Sequence, residues 1–142
     1  MTRRTQLHSL VAAVMCVTFS AAALADDVPT FRKGQWEFKR TLVGQGTGGK
    51  DVEMASKKCT DPSFDMKAMA AMLTQKGCKA PAVSMKGNVR ASSWECTMKD
   101  KPVRSETVMT ITSDSAYTAN ITTTTDGKAA KEVMVAKRVG DC

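Results

Sequence analysis

Histidine is almost missing from this chain: of 142 residues only His8 is one, and it lies near the N-terminus. Residues 26–142 therefore offer no Ser–His or Cys–His nucleophile and no histidine-based zinc centre. Acid–base chemistry is left to carboxylates, and the Asp and Glu residues are scattered without a spacing that singles out a pair. No lysine is marked out either, so the chain reads as a non-enzyme with no cofactor. A C-x-x-C pair is also absent, which removes the usual zinc and thiol-redox signatures. Aromatic residues are few, at 5%, and none sits inside a basic run. Nucleic-acid binding needs a clustered basic face with aromatics for stacking, so nucleic acid is not an expected partner. The longest apolar run, Leu10 to Leu24, is about 15 residues, short of the roughly 20 that span a bilayer as a helix.

What is present at the start is a three-part export signal. Arg3 and Arg4 form a short basic region, the apolar run follows, and Ala23-Leu24-Ala25 supplies a small-x-small cleavage site before Asp26. Residues 1–25 are expected to be removed, which leaves a periplasmic domain at 26–142 with no transmembrane segment. Cys16 lies within the apolar run and lacks the preceding small residue of a lipoprotein site. Cleavage removes two arginines, so nineteen Lys and Arg remain against fourteen Asp and Glu, a net charge of +5. These basic residues are spread along the chain, which describes a solvated, mildly basic surface.

Four cysteines remain after cleavage: Cys59, Cys78, Cys96 and Cys142. An even count in a small exported chain describes a disulfide framework, with three pairings open. Register favours one of them. Cys78 and Cys96 lie symmetrically about Gly87, and Lys86-Gly87-Asn88 is a plausible tight turn. A hairpin closed there sets Cys78 opposite Cys96 and Ala80 opposite Trp94. Cys59 and Cys142 then pair by elimination, closing a long loop worth roughly 4 kcal/mol in the loop-entropy treatment.

Along the domain, Gln35 to Val43 alternates, with Trp36, Phe38 and Leu42 on one face, and reads as a half-buried strand. Gly44 to Gly49 reads as a hairpin loop; it lacks the Lys-Ser/Thr ending of a phosphate cradle. Asp51 to Lys58 returns with Val52 and Met54 inward. Asp61-Pro62 is a helix start, with Asp at the cap and Pro at the first helical position. Met66, Met69, Ala70 and Leu73 then fall on one helical face, and Gly77 ends the helix. Strands follow at Lys79 to Met85, Val89 to Lys99, Val103 to Thr112, Tyr117 to Thr125 and Lys131 to Val139. Asp126-Gly127 is a strong hairpin signal, and a register with Ile121 opposite Val133 keeps the apolar faces together. The fold class is mainly β (α+β): a curled antiparallel sheet of about seven strands with one short helix near 61–76.

Several of these landmarks occur together in a known family. Gly34-x-Trp36-Glu37 opens the domain; Cys59-Thr60-Asp61-Pro62 precedes the helix and a second cysteine follows it; Trp94-x-Cys96 lies mid-chain; Arg138-Val139-Gly140-Asp141-Cys142 ends it. The sequence resembles the Domain of Unknown Function 3617 family, small exported proteins of Gram-negative bacteria, over essentially the whole of 26–142. The resemblance implies location, domain extent and cysteine pattern, and no catalytic residues. Thr60-Asp61-Pro62 carries one residue more than the family's commoner Thr-Pro.

Three functional readings follow. The first is a binding module whose concave sheet face, beneath the Met-rich helix, holds a small apolar or amphipathic ligand. The second is an envelope protein acting through its outer surface on other envelope proteins. The third is Cu(I) binding by Met66, Met69 and Met72. Met72 lies about 120° from Met66 around an ideal helix, so the three thioethers converge poorly, and methionine as adaptable core filler is the simpler account.

Overall fold

The computed structural model describes residues 28–142; the export signal expected at 1–25, with His8 and Cys16, lies outside the described residues. Seven strands and one α-helix follow in chain order: β1 Gly34–Val43, β2 Val52–Thr60, α1 Pro62–Gln75, β3 Ala82–Lys86, β4 Val89–Met98, β5 Lys101–Ser113, β6 Ala116–Thr125 and β7 Lys128–Gly140. The strands form a single antiparallel sheet in the order β2-β1-β7-β6-β5-β4-β3. The sheet does not close, so β2 and β3 are its two edges. They are also the strands that α1 joins in sequence. The helix therefore runs from one edge to the other over the concave face.

Local chemistry explains the elements. Asp61 caps α1 by accepting a hydrogen bond from the Phe64 amide at 3.2 Å, and Pro62 holds the first helical position, where its missing N–H is no loss. Past the end, Gly77 takes φ +76°, and the amides of Gly77 and Cys78 bond back to Thr74 and Leu73 carbonyls at 3.0 Å. The β6–β7 turn is Asp126-Gly127, with both residues at positive φ (52° and 77°) as a type I′ hairpin requires. Lys99-Asp100 repeats the arrangement between β4 and β5. Between β1 and β2 the glycine-rich loop folds on itself, its Gly44 amide bonded to the Asp51 carboxylate at 2.8 Å.

Two expected registers are off by one residue. The two-residue turn Gly87-Asn88 pairs Lys86 with Val89 and Ala82 with Ser93, so the hairpin is not centred on Gly87. Ala80 lies before β3 and does not face Trp94. In β6–β7 the type I′ turn pairs Thr125 with Lys128, which fixes Ile121 opposite Glu132 and Asn120 opposite Val133. Val133 and Val135 consequently face the convex side, and Val135 is left 46% exposed. In both cases a tight turn set the pairing and apolar matching did not. Met54, expected inward, shares the concave face with Arg40 but sits on the edge strand and is largely exposed.

The core divides into two clusters. The larger gathers Phe31, Trp36, Met109, Tyr117, Ala119 and Ala136, with Met66 of the helix packed against it. Trp36 is fully buried, and its indole N–H donates to the Arg32 carbonyl at 3.0 Å. Phe31, Tyr117 and Phe38 surround it with ring centroids 5.8–6.4 Å away. The smaller cluster is Leu73, Cys78 and Cys96, with Trp94 against it. The first holds the N-terminal part of α1 to the sheet and the second holds its C-terminal end.

Candidate ligand-binding cavity

Between these two anchor points the helix stands clear of the sheet, leaving a solvent-accessible cavity of about 500 Å³. Its roof is the expected apolar face of α1: Met66, Met69, Ala70 and Leu73 all line it. Its floor follows from strand register. One cross-strand row runs Met54, Arg40, Met134, Ala119, Met109, Arg90, Met85 over β2, β1, β7, β6, β5, β4 and β3. A neighbouring row carries Ser56, Phe38, Ala136 and Tyr117 over β2, β1, β7 and β6. Ala119 on β6 is the smallest side chain of the floor, and Met134 and Met109 rise on either side of it. That gradation leaves room under the helix.

Polar groups sit at the margins. Arg40 makes a two-pronged salt bridge to Glu132, at 2.5 and 2.8 Å. That hydrogen bonding raises the Arg40 pKa over the opposing effect of burial. At the helix N-terminus, burial pushes the Asp65 carboxyl up, but hydrogen bonds from Thr60 (2.6 Å) and Lys58 (2.9 Å) outweigh it and hold it below its ordinary range. The Lys58 ammonium also lies 5.7 Å from the centroid of Phe38. On the opposite side Arg90 donates to the Ser92 hydroxyl at 3.1 Å. Tyr117 lines the cavity, and burial first, with the Asp65 charge second, pushes its phenol up to about 12.

The cysteines flank this space. Cys78 and Cys96 lie at disulfide distance, Cα–Cα 4.5 Å, beneath the end of α1. The off-by-one hairpin still permits this because Cys78 precedes β3 and is not held to its ladder. Cys59 and Cys142 approach with Cα–Cα 5.7 Å and fasten the C-terminus to β2. Of the three methionines considered for copper, Met66 and Met69 line the cavity and Met72 does not. No group of three or more His, Cys, Asp or Glu suited to a metal ion occurs among the described residues.

Sequence reasoning missed Arg40, Lys58, Asp65, Arg90 and Glu132. The signal was available for Arg40: it occupies an inward position of the β1 alternation, between Phe38 and Leu42. A charge on the apolar face of a strand marks a site or a buried pair.

The sequence landmarks also meet in space. Gly34 pairs with Thr60 across β1–β2, and Gln35 pairs with both Cys59 and Gly140. Arg138 donates to the Lys33 carbonyl at 3.0 Å and bonds to Asp141. The Gly-x-Trp-Glu opening, the first cysteine and the Arg-Val-Gly-Asp-Cys ending thus build one corner of the sheet, where their role is to lock the chain ends together. No curated protein and no solved structure matches the chain. Residues 31–142 do match a family model, described as Protein of unknown function (DUF3617), and with its landmarks gathered at that corner the chain belongs to this family.

Proposed function

We propose that residues 26–142 are a periplasmic, non-enzymatic binding module that holds a small apolar or amphipathic ligand between α1 and the sheet. The observation that carries this reading is the cavity itself: about 500 Å³ falls within the roughly 300–1,000 Å³ of small-molecule sites. A sealed, dry space of that size would cost on the order of 12 kcal/mol, comparable with the whole stability of a domain. The protein avoids that cost by leaving the space open to solvent, and a ligand with an apolar body would displace water from methionine and aromatic walls. Methionine suits such a wall because its unbranched side chain adapts to varied shapes. The periplasmic location rests on the three-part N-terminal segment.

The methionines supply the test. Met66, Met69, Met109 and Met134 line the cavity, whereas Met54, Met72, Met85 and Met98 do not. Titrating methyl-labelled protein with a non-ionic alkyl amphiphile should move the first four NMR signals and leave Met72 and Met98 in place. Uniform shifts over all eight, or none, would contradict a defined site.

A second reading, action through the outer surface on another envelope protein, draws support from Val108 and Val135. Both lie on the convex face and are 45% and 46% exposed. Pull-down with a Val108→Lys, Val135→Lys variant as control tests it; equal recovery with the parent and the variant would end it.

A further inference from the structure

Every charge on the cavity wall is already answered by a neighbour. Arg40 holds Glu132 through both prongs, at 2.5 and 2.8 Å, and Lys58 holds Asp65 at 2.9 Å. Asp65 also accepts from the Thr60 hydroxyl. Arg90 donates to Ser92 and has a further partner. A charged group on a ligand would have to break one of these pairs or enter unpaired, and burying an unpaired charge is strongly unfavourable. The wall therefore selects against ions of either sign.

One buried polar group on the wall is not answered. Ser56, Ser92, Thr107 and Tyr117 bring hydroxyls to the cavity, and of these residues only Tyr117 is buried, with 4% of its surface exposed. Among the described residues its hydroxyl has no hydrogen-bond partner; burial and the Asp65 charge are what act on it. No sealed polar side-chain atom among the described residues lacks a partner, so this hydroxyl is not sealed and opens on the cavity that Tyr117 lines. A buried O–H donor left unmade is costly, and water or a ligand oxygen has to take it. The phenol keeps its proton through neutral pH, so it offers a neutral donor. The nearby Asp65 charge disfavours an anion at that point. What fits is an uncharged acceptor oxygen on an apolar body, oriented by few polar contacts. A carbonyl oxygen suits best, because it brings no O–H of its own to satisfy.

Resting on the binding-module reading, we infer that the cavity takes an uncharged apolar molecule bearing a carbonyl oxygen, a long-chain ketone or ester, with the Tyr117 hydroxyl donating to that oxygen and Met66, Met69, Met109 and Met134 against the chain. The test measures four probes of equal chain length by calorimetry and by the Met109 and Met134 methyl signals: a methyl ketone, the alkane, and the carboxylate and trimethylammonium below their micelle concentrations. Tyr117→Phe should weaken the ketone about threefold to tenfold, as loss of one neutral hydrogen bond implies, and leave the alkane unchanged, which also shows that the variant is folded. In the parent protein the ketone should bind about tenfold or more tightly than either ion. The bound ketone's carbonyl stretch should lie below its frequency in hydrocarbon solvent in the parent and return to it in Tyr117→Phe. A band at the hydrocarbon frequency in the parent overturns the Tyr117 contact without recourse to a variant, and so does a ketone affinity that survives Tyr117→Phe. An ion bound as tightly as the ketone overturns the uncharged ligand and leaves the binding module standing. Failure of all four probes to bind overturns the binding module itself.

Discussion

A Cβ on Gly34 would lie 2.5 Å from the Gly140 carbonyl oxygen and 2.6 Å from Nε of Arg138, so the corner formed by the two chain ends tolerates no side chain there. With φ at +154°, Gly34→Ala should lower stability by about 2 kcal/mol or more, read as a drop in the urea midpoint at unchanged m-value. Tyr117 offers a pH test of the buried floor. It is the only tyrosine, so absorbance titration follows it alone. It should ionise near 12, well above an exposed phenol. Because its pKa is higher folded than unfolded, the folded state holds its proton more tightly. The associated stability is complete below pH about 10 and is lost between about 10 and 12, by roughly 2–3 kcal/mol. A phenol titrating near 10 in folded protein would show that the Tyr117 hydroxyl itself is not buried. At this scale the sequence is unevenly legible. Trp36 and the helix face were visible because apolar spacing announces burial. Arg40 is less legible because alternation reports which positions face inward and not what a charge at one of them does there.

The helix is fastened at both ends and bare between. Its start depends on the Asp61 cap, so Asp61→Ala should cost about 1 kcal/mol in chemical denaturation. Its end depends on Leu73 packed against the Cys78–Cys96 pair. Replacing both cysteines with alanine should lower the melting temperature and speed amide exchange across residues 62–86 more than in β6 or β7. Equal acceleration across the sheet would show that this pair holds the whole fold and not the strap. Elements were largely legible from sequence: α1 was placed by an Asp-Pro start and a glycine stop, and strands by period-two alternation. Pairing was not. Both registers were argued from apolar or cysteine symmetry, whereas the two-residue turns at Gly87-Asn88 and Asp126-Gly127 decided them. A slip of one residue turned Val133 and Val135 to the convex face, and that slip is why the sequence alone could not assemble the row of methionines and arginines on the floor.

For the whole molecule, an open seven-stranded sheet leaves two edges and a concave face, and one helix joining those edges spans both. Strand order explains why the chain ends meet: β1 pairs directly with β7, and Cys142 then reaches Cys59 on β2. The same order puts Ala119 of β6 between Met134 of β7 and Met109 of β5 at the trough's centre, so the cavity is a product of topology as much as of side-chain choice. Among the described residues no helix is long and apolar enough to cross a membrane. The central claim is that this space carries a ligand. Native mass spectrometry of the protein recovered from its own periplasm tests it most directly. The expected spectrum shows a chain beginning at Asp26, lighter by the hydrogens of two disulfides, with a small non-covalent adduct that leaves on collisional activation. A bare chain under gentle conditions, which also takes up no non-ionic alkyl amphiphile added before spraying, would contradict the account.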